Sequence, residues 1–297
     1  MPDRRFMTIE EFRKQIIEGL NERYSDAYDI IPQDVLKNNG RMYCGICIRE
    51  AGKNIAPTIY LEDMYKRFDE TGDMDELLDL IIEIKRDNSI DDVFEPNFYM
   101  QFDNIKDDLF VKLINHKNNM ELLVDTPYRE FLDMALVIYC DVTKQCGMLS
   151  SIMVKNNHVD VWKVDEDRLF EIAVNNTRKR GVKTFDMGKD LLNFEDEKVD
   201  EDDLVKMIVL TNERGQCGAS VMTFDSELDK YCKEFDSGLY IIPSSIHEVI
   251  IVPEDRVTDV KSLNSLIADV NRNELEWEDI LSDHAYYYSV NSGYACV

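Results

Sequence analysis

The stretch Met207–Pro253 leaves this chain the least freedom. It strings together MIVLTN, a Gly-bearing link, GASVMTF, DSELDKYCKEFDSG, LYII, PSSIHE and VIIVP. The runs Met207–Leu210, Leu239–Ile242 and Val249–Val252 are short and rich in β-branched residues, as buried strands are. A helix falls between the first two: Ser226 is placed to cap it, and Gly238 lies just past its end. Leu228, Tyr231, Cys232 and Phe235 keep the spacing of one apolar helical face. Pro243 cannot donate to a sheet ladder, so the second strand stops there and Ser244–Ser245 turn the chain into the third. Four consecutive apolar residues at Val249–Val252 require a strand covered on both faces.

The N-terminal third reads as αββα. Thr8 and Glu11 have capping-box spacing, Met7 can staple against Phe12, and Phe12, Ile16 and Leu20 mark the buried stripe of the first helix. Tyr28–Leu36 and Met42–Ile48 read as strands joined at Asn38-Asn39-Gly40, a hairpin signal. A helix over Ile59–Phe68 is expected next, then one boxed by Asp73 and Glu76 with Leu77, Leu78, Ile81 and Ile82 inward. The polar Asp87–Pro96 stretch marks a boundary, which gives an N-terminal part over 1–90 and a larger part over 91–297.

In the larger part, Leu109–Ile114, Met134–Cys140 and Leu149–Val154 are expected strands, with a turn near His116–Asn119 and a break at Thr126-Pro127. A helix opening on Asp165, Glu166 and Asp167 and closing on Arg178, Lys179 and Arg180 has charges that suit its dipole. The acidic run 190–203 reads as an exposed connector. Val260, Leu263, Ile267 and Val270 define a further helix, Trp277, Ile280 and Leu281 a shorter one, and Tyr286–Tyr288 a last strand. Residues 289–297 are expected to be loose. The fold class is α+β, a mixed or antiparallel sheet flanked by helices.

Sixty acidic against thirty-four basic residues leave a formal charge of −26. Such a surface repels phosphate backbones and anionic lipid, so direct nucleic-acid binding is not expected, whereas a basic protein partner would suit it. The longest apolar run, Met134–Cys140, is far short of the ~20 residues that cross a bilayer. Charges begin at Asp3, so no leader or membrane segment is expected and the location reads as cytoplasmic. Seven cysteines in no framework spacing read as reduced thiols.

Several runs carry a resemblance: NIAPTIYLEDMY, KLINHKNNMELL with PYREFLDMALVIY, LFEIAVNNTRK, YIIPSSIHEVIIVP and ILSDHAYYYS. Together, and in this order, they resemble an uncharacterised family of gut-anaerobe proteins, domain of unknown function family 5688. The resemblance implies a soluble bacterial protein and supplies no catalytic residues.

Candidate chemistry must therefore come from the residues themselves. Cys44-Gly45-Ile46-Cys47 is a CxxC, but no second ligand pair completes a zinc site and the motif lies in a strand instead of opening a helix, so neither metal nor cofactor is expected. Ser245, His247 and Glu248, beside Ser244, bring a hydroxyl, an imidazole and a carboxylate together. In a strand, however, Glu248 points away from the face shared by Ser245 and His247, so a carboxylate such as Asp133 would have to come from elsewhere. Asn115-His116 and Asp283-His284 read as turn residues, and Trp162 and Trp277 as core. No dinucleotide fingerprint, P-loop, HExxH or EF-hand pattern is present. The reading favoured at this level is a non-enzymatic binding or regulatory protein whose acidic surface engages a protein partner. The alternative is a hydrolase-type enzyme with its site near His247, and a pocket where His247 meets at least two other polar groups would favour it.

Overall fold

Alternating strands and capped helices assemble an α+β protein whose strand pairs, among the described residues, all run antiparallel. The computed structural model describes residues 7–24, 28–50, 57–87, 96–146, 150–187 and 206–297. The acidic run 190–203 and nearly all of the Asp87–Pro96 stretch lie outside the described residues. The chain divides into two units, one comprising 1–37, 41–100 and 144–148, the other 38–40, 101–143 and 149–297.

In the first unit the helix Ile9–Tyr24 opens on its capping box. Thr8 N–H donates to Glu11 Oε2 at 2.9 Å, and Glu11 N–H donates to Thr8 Oγ1 at 3.2 Å. Phe12, Ile16 and Leu20 are fully buried in the core that this helix shares with the sheet β1 (Tyr28–Leu36), β2 (Met42–Glu50) and β3 (Thr58–Tyr60) and with the helices Glu62–Thr71 and Met74–Asp87. One sequence expectation is corrected here. Ile59 and Tyr60 pair with Ile46 and Gly45 on β2, and the helix starts only after Leu61. The β-branched Thr58-Ile59 pair suits a pleat, and Gly45 lets β3 approach closely, since a Cβ there would lie 2.9 Å from the Ile59 carbonyl oxygen.

The second unit holds two sheets. In one, β6 (Met134–Asp141) is flanked by β4 (Leu109–Asn115) and β5 (Tyr128–Phe131), and β7 (Ser151–Met153) pairs with its C-terminal end. The other has six strands in the order β13-β12-β10-β11-β9-β8, built from β8 (Val182–Asp186), β9 (Ile208–Asn212), β10 (Leu239–Ile242), β11 (Val249–Pro253), β12 (Tyr286–Ser289) and β13 (Gly293–Cys296). Helix Glu166–Lys179 lies against β4 and is capped by Asp165, whose carboxylate accepts from Arg168 N–H. Val249 and Ile251 are fully inaccessible, while Ile250 is only half-buried, so the two faces of β11 are unequally covered.

Local signals also failed in instructive places. Ser226 does not cap the helix Asp225–Phe235, and the left-handed residue that ends it is Asp236 (φ 50°), not Gly238. Gly238 is required for another reason: a Cβ there would lie 2.7 Å from Tyr287 Cζ and 2.8 Å from Glu254 Oε2. The 289–297 tail is not loose, because β13 pairs with β12 across a turn in which Gly293 takes φ +67°. The half-buried Tyr294 meets the buried Tyr288 edge-on, ring centroids 4.9 Å apart, a contact that helps hold the short C-terminal strand. Trp277 is not core. It is 48% exposed and begins a single 3₁₀ turn, Trp277–Asp279. Of the stripe expected on helix Val260–Glu274, Ile267 is buried and Val270 is exposed. Among the described residues no helix is long and apolar enough to cross a membrane.

Candidate active site

The β9 strand runs out at Asn212 into a Gly-rich turn, and Cys217 closes that turn in the left-handed region (φ 54°, ψ 33°) immediately before the 3₁₀ helix Gly218–Thr223. A non-Gly residue held in this region needs support from its surroundings, and residues of this kind concentrate at working sites. The support comes from the β10–β11 connection. Gly218 N–H donates to the His247 carbonyl at 2.9 Å, and Thr211 Oγ1 donates to the same oxygen at 2.7 Å. A Cβ on Gly218 would lie 2.7 Å from that oxygen and would also collide with Thr211, so glycine is what allows the turn to close on His247.

The His247 side chain is held at both nitrogens. Cys217 backbone N–H donates to Nδ1 at 3.0 Å, and Nε2 lies 3.2 Å from Asp279 Oδ1. Because a backbone amide can only donate, Nδ1 is the acceptor, and the neutral ring carries its proton on Nε2 towards Asp279. Asp279 is itself fixed from both sides. Ile246 N–H donates to its carbonyl at 2.8 Å, and Asn39 Nδ2 bridges the flanking carbonyls of Trp277 at 2.6 Å and Ile280 at 2.8 Å. The backbone amide of Cys217, the imidazole of His247 and the carboxylate of Asp279, from three separate connections, thus lie in series.

The Cys217 thiol and the His247 ring also act on each other electrostatically. Burial opposes ionisation of the Cys217 thiol, but hydrogen bonding to the His247 side chain and the charge of Lys112 outweigh it and leave its pKa below the ordinary thiol value. For His247 the hydrogen bond to Cys217 is the largest influence and, with Asp279, raises its pKa above the ordinary imidazole value against the effect of burial. The two shifts have the signs of a thiolate–imidazolium pair, a state in which Nδ1 takes a proton and so releases the Cys217 backbone N–H that it accepts from in this geometry.

Cys217 lines a cavity of about 90 Å³ whose walls also include Lys112, Asp141, Arg180, Arg214 and Gln216. Lys112 projects from β4, its ammonium 3.7 Å from the Tyr139 ring centroid and 3.4 Å from Ser151 Oγ. The Arg180 guanidinium stacks 4.0 Å from the centre of Phe110. Asp141 accepts from Arg180 at 3.4 Å and from Arg214 through the same oxygen, while its other oxygen accepts from Thr143 N–H at 3.0 Å.

The residues singled out by sequence are dispersed. His247 is in the site. Ser245 is buried and structural, its Oγ accepting from His247 N–H at 3.0 Å. Glu248 supplies a backbone carbonyl to Ser245 N–H, and the acid on His247 is Asp279. Asp133 does not join His247. It accepts from the Tyr286 hydroxyl and faces His284, whose Nε2 is 3.5 Å from Asp133 Oδ2. Asp133, His284 and Cys296 bring potential ligand atoms within 4.8 Å of one another, a set with metal-ligand chemistry. Asn115 does turn work, accepting from Asn118 N–H at 2.8 Å. Cys44 and Cys47, three apart on β2, fall on opposite faces and cannot converge on one ion, and burial pushes both thiols up. Sequence reasoning passed over Cys217 and Asp279. The glycines flanking Gln216-Cys217 after a strand were the available signal for the cysteine; nothing around Asp279 distinguished it from its acidic neighbours.

Fold and geometry together give an α+β protein in which Cys217 lines a polar cavity and its backbone amide meets a histidine that is paired with Asp279. The chain belongs to the family described as "Family of unknown function (DUF5688)", whose model matches residues 9–290. No curated protein and no solved structure matches it.

Proposed function

We propose that this protein is an enzyme with a cysteine nucleophile that cleaves an acyl bond, an amide or an ester, through a thioester. The observation that carries the reading is His247 held between Asp279 and the backbone amide of Cys217, a cysteine that itself lines a cavity. Cys217 Sγ attacks the acyl carbon, a C–S bond forms, and the bond to the leaving amine or alkoxide breaks as the His247 imidazolium gives that group its proton. Water then attacks the thioester, His247 takes its proton, the C–S bond breaks and a carboxylic acid leaves. Asp279 acts on His247 alone, holding Nε2–H so that Nδ1 is turned to Cys217; Nδ1 releases the Cys217 backbone N–H when it takes the thiol's proton. Gln216, on the cavity wall, offers a carboxamide donor for the oxygen that becomes negative in each step. A reactive unprotected thiol suits a reducing cytoplasm. The binding-protein reading rests on the overall acidity alone, whereas this one is supported by the hydrogen bonds of His247 and by the position of Cys217 at a cavity.

Alkylation by iodoacetamide with peptide mapping tests the reading. Cys217 should react several-fold faster in the wild-type protein than in His247→Ala at neutral pH, because removing the ring removes an influence that lowers the thiol's pKa. Equal rates in the two proteins would remove the basis for the proposal.

A further inference from the structure

The surroundings of Cys217 run against the character of the whole chain. The protein carries sixty acidic and thirty-four basic residues, yet three cations, Lys112, Arg180 and Arg214, line the single cavity wall that holds the thiol. Their placement is not accidental packing. Lys112 is held over Tyr139 and Arg180 over Phe110, and cations stacked on rings lose little freedom when they then meet an anion. Asp141 takes one nitrogen from each guanidinium, which orients both while leaving most of their five N–H donors to point elsewhere. Asp141 and Asp108, which acts on Arg180, are the acids facing this group, so two negative charges stand against three positive ones. The balance is one unit of positive charge.

We propose that this cavity recognises a carboxylate of the substrate, so that the bond attacked by Cys217 belongs to an acyl compound with a free carboxylate close to the scissile carbonyl. This rests on the nucleophile reading above and names its substrate class. A single carboxylate matches the net charge of the wall and the fork geometry of two guanidinium groups. A phosphate dianion carries twice that charge and would have to sit beside the Asp141 carboxylate. The cavity, at about 90 Å³, has room for a group of a few heavy atoms, the size of a carboxylate and its neighbouring carbons. Lys112 serves two roles there. It holds down the pKa of the thiol and contributes charge to the carboxylate site.

Two alkylating reagents of similar size separate the claims. Iodoacetate carries the carboxylate and iodoacetamide does not. For an ordinary thiol in free solution the neutral reagent serves as the reference, and the ratio of iodoacetate to iodoacetamide rate constants at Cys217 should exceed that of free glutathione by about threefold to tenfold, the effect of one favourable charge at contact in a wet site. Raising ionic strength should shrink the ratio, and Arg214→Gln, a half-exposed position, should lower it towards the glutathione value. Glutarate should slow alkylation of the wild-type protein at concentrations where inorganic phosphate of equal ionic strength does not. If Cys217 reacts with iodoacetamide in a His247-dependent way but iodoacetate has no advantage, the carboxylate site is wrong and the nucleophile stands. If alkylation is independent of His247, the nucleophile reading itself fails. Stronger protection by phosphate than by glutarate would overturn the choice of carboxylate.

Discussion

At the scale of single residues the useful contrast lies within His247. Its backbone carbonyl, held by Gly218 and Thr211, is architecture, while its ring, held between the Cys217 backbone N–H and Asp279, is the part that the proposed chemistry would use. The sign of its pKa shift has a consequence for stability. Because the folded protein raises the His247 pKa, the protonated ring contributes stability that is fully present below the ordinary value near 6.5 and is lost as the pH rises through the folded value. Cys217 behaves oppositely: its lowered pKa contributes above the ordinary thiol value and the contribution disappears as the pH falls through the folded one. Between those limits the ion pair is favoured. The alkylation rate of Cys217 against pH should therefore have its inflection below the usual thiol range, and His247→Ala should move it upward; an unchanged profile would show that the two groups do not communicate. Gly218→Ala supplies a steric companion. Its Cβ meets backbone and side chain with nowhere to move, so urea denaturation should show a loss of roughly 1–3 kcal/mol and the fast alkylation should vanish.

Among elements, β11 carries the clearest test. Ile251 is fully inaccessible on a central strand and pairs with Ile241 and Ile208, so Ile251→Ala should cost roughly 2–5 kcal/mol in chemical denaturation. Ile250, half-buried, should cost distinctly less. A reversed order would mean that the face taken here as core is the open one. The C-terminal hairpin makes a parallel case, since the edge-on rings of Tyr288 and Tyr294 tie β12 to β13, and the Tyr288 hydroxyl, donating to Asp229 Oδ1 at 2.8 Å, ties β12 to the helix Asp225–Phe235. Tyr294→Ala should loosen β13 and speed amide exchange over residues 293–296 while leaving exchange in β4 and β6 unaltered.

For the whole molecule, charge is the dominant variable. A net charge of −26 sets up self-repulsion that added salt screens, whereas many of the ion pairs, such as Arg23 with Asp75 and Arg168 with Glu171, join exposed carboxylates and contribute little that salt could take away. Repulsion wins that comparison. Moderate sodium chloride should raise the urea midpoint, and a fall would mean that ion pairs outweigh the excess of acid. The charge that repels phosphate backbones elsewhere is locally reversed at the cavity, so overall composition describes the surface and misdescribes the site.

Sequence alone determined whatever depends on neighbours in the chain. The capping box at Thr8 and Glu11, the Asn39-Gly40 hairpin, the apolar stripe of the first helix and the strand runs on either side of Pro243 are all decided within a few residues, and each was legible. The family was legible as well, from runs of residues kept in order. Signals of the same kind misled where tertiary packing overrode them, as at Ile59 and Tyr60, drawn onto a sheet edge beside Gly45, and at the C-terminal tail, where Tyr294 meets Tyr288. His247 stood out in the sequence, but its partners did not, because the hydroxyl and the acid nearest to it in the chain are not the groups that its ring meets. Cys217 and Asp279 lie about thirty residues away on either side, and only the closing of a glycine turn on one strand connection and the pinning of a 3₁₀ turn by Asn39 bring them to its two nitrogens. Local pattern encodes which backbone forms; which side chains then meet is set by long-range contacts that have no period in the sequence to betray them.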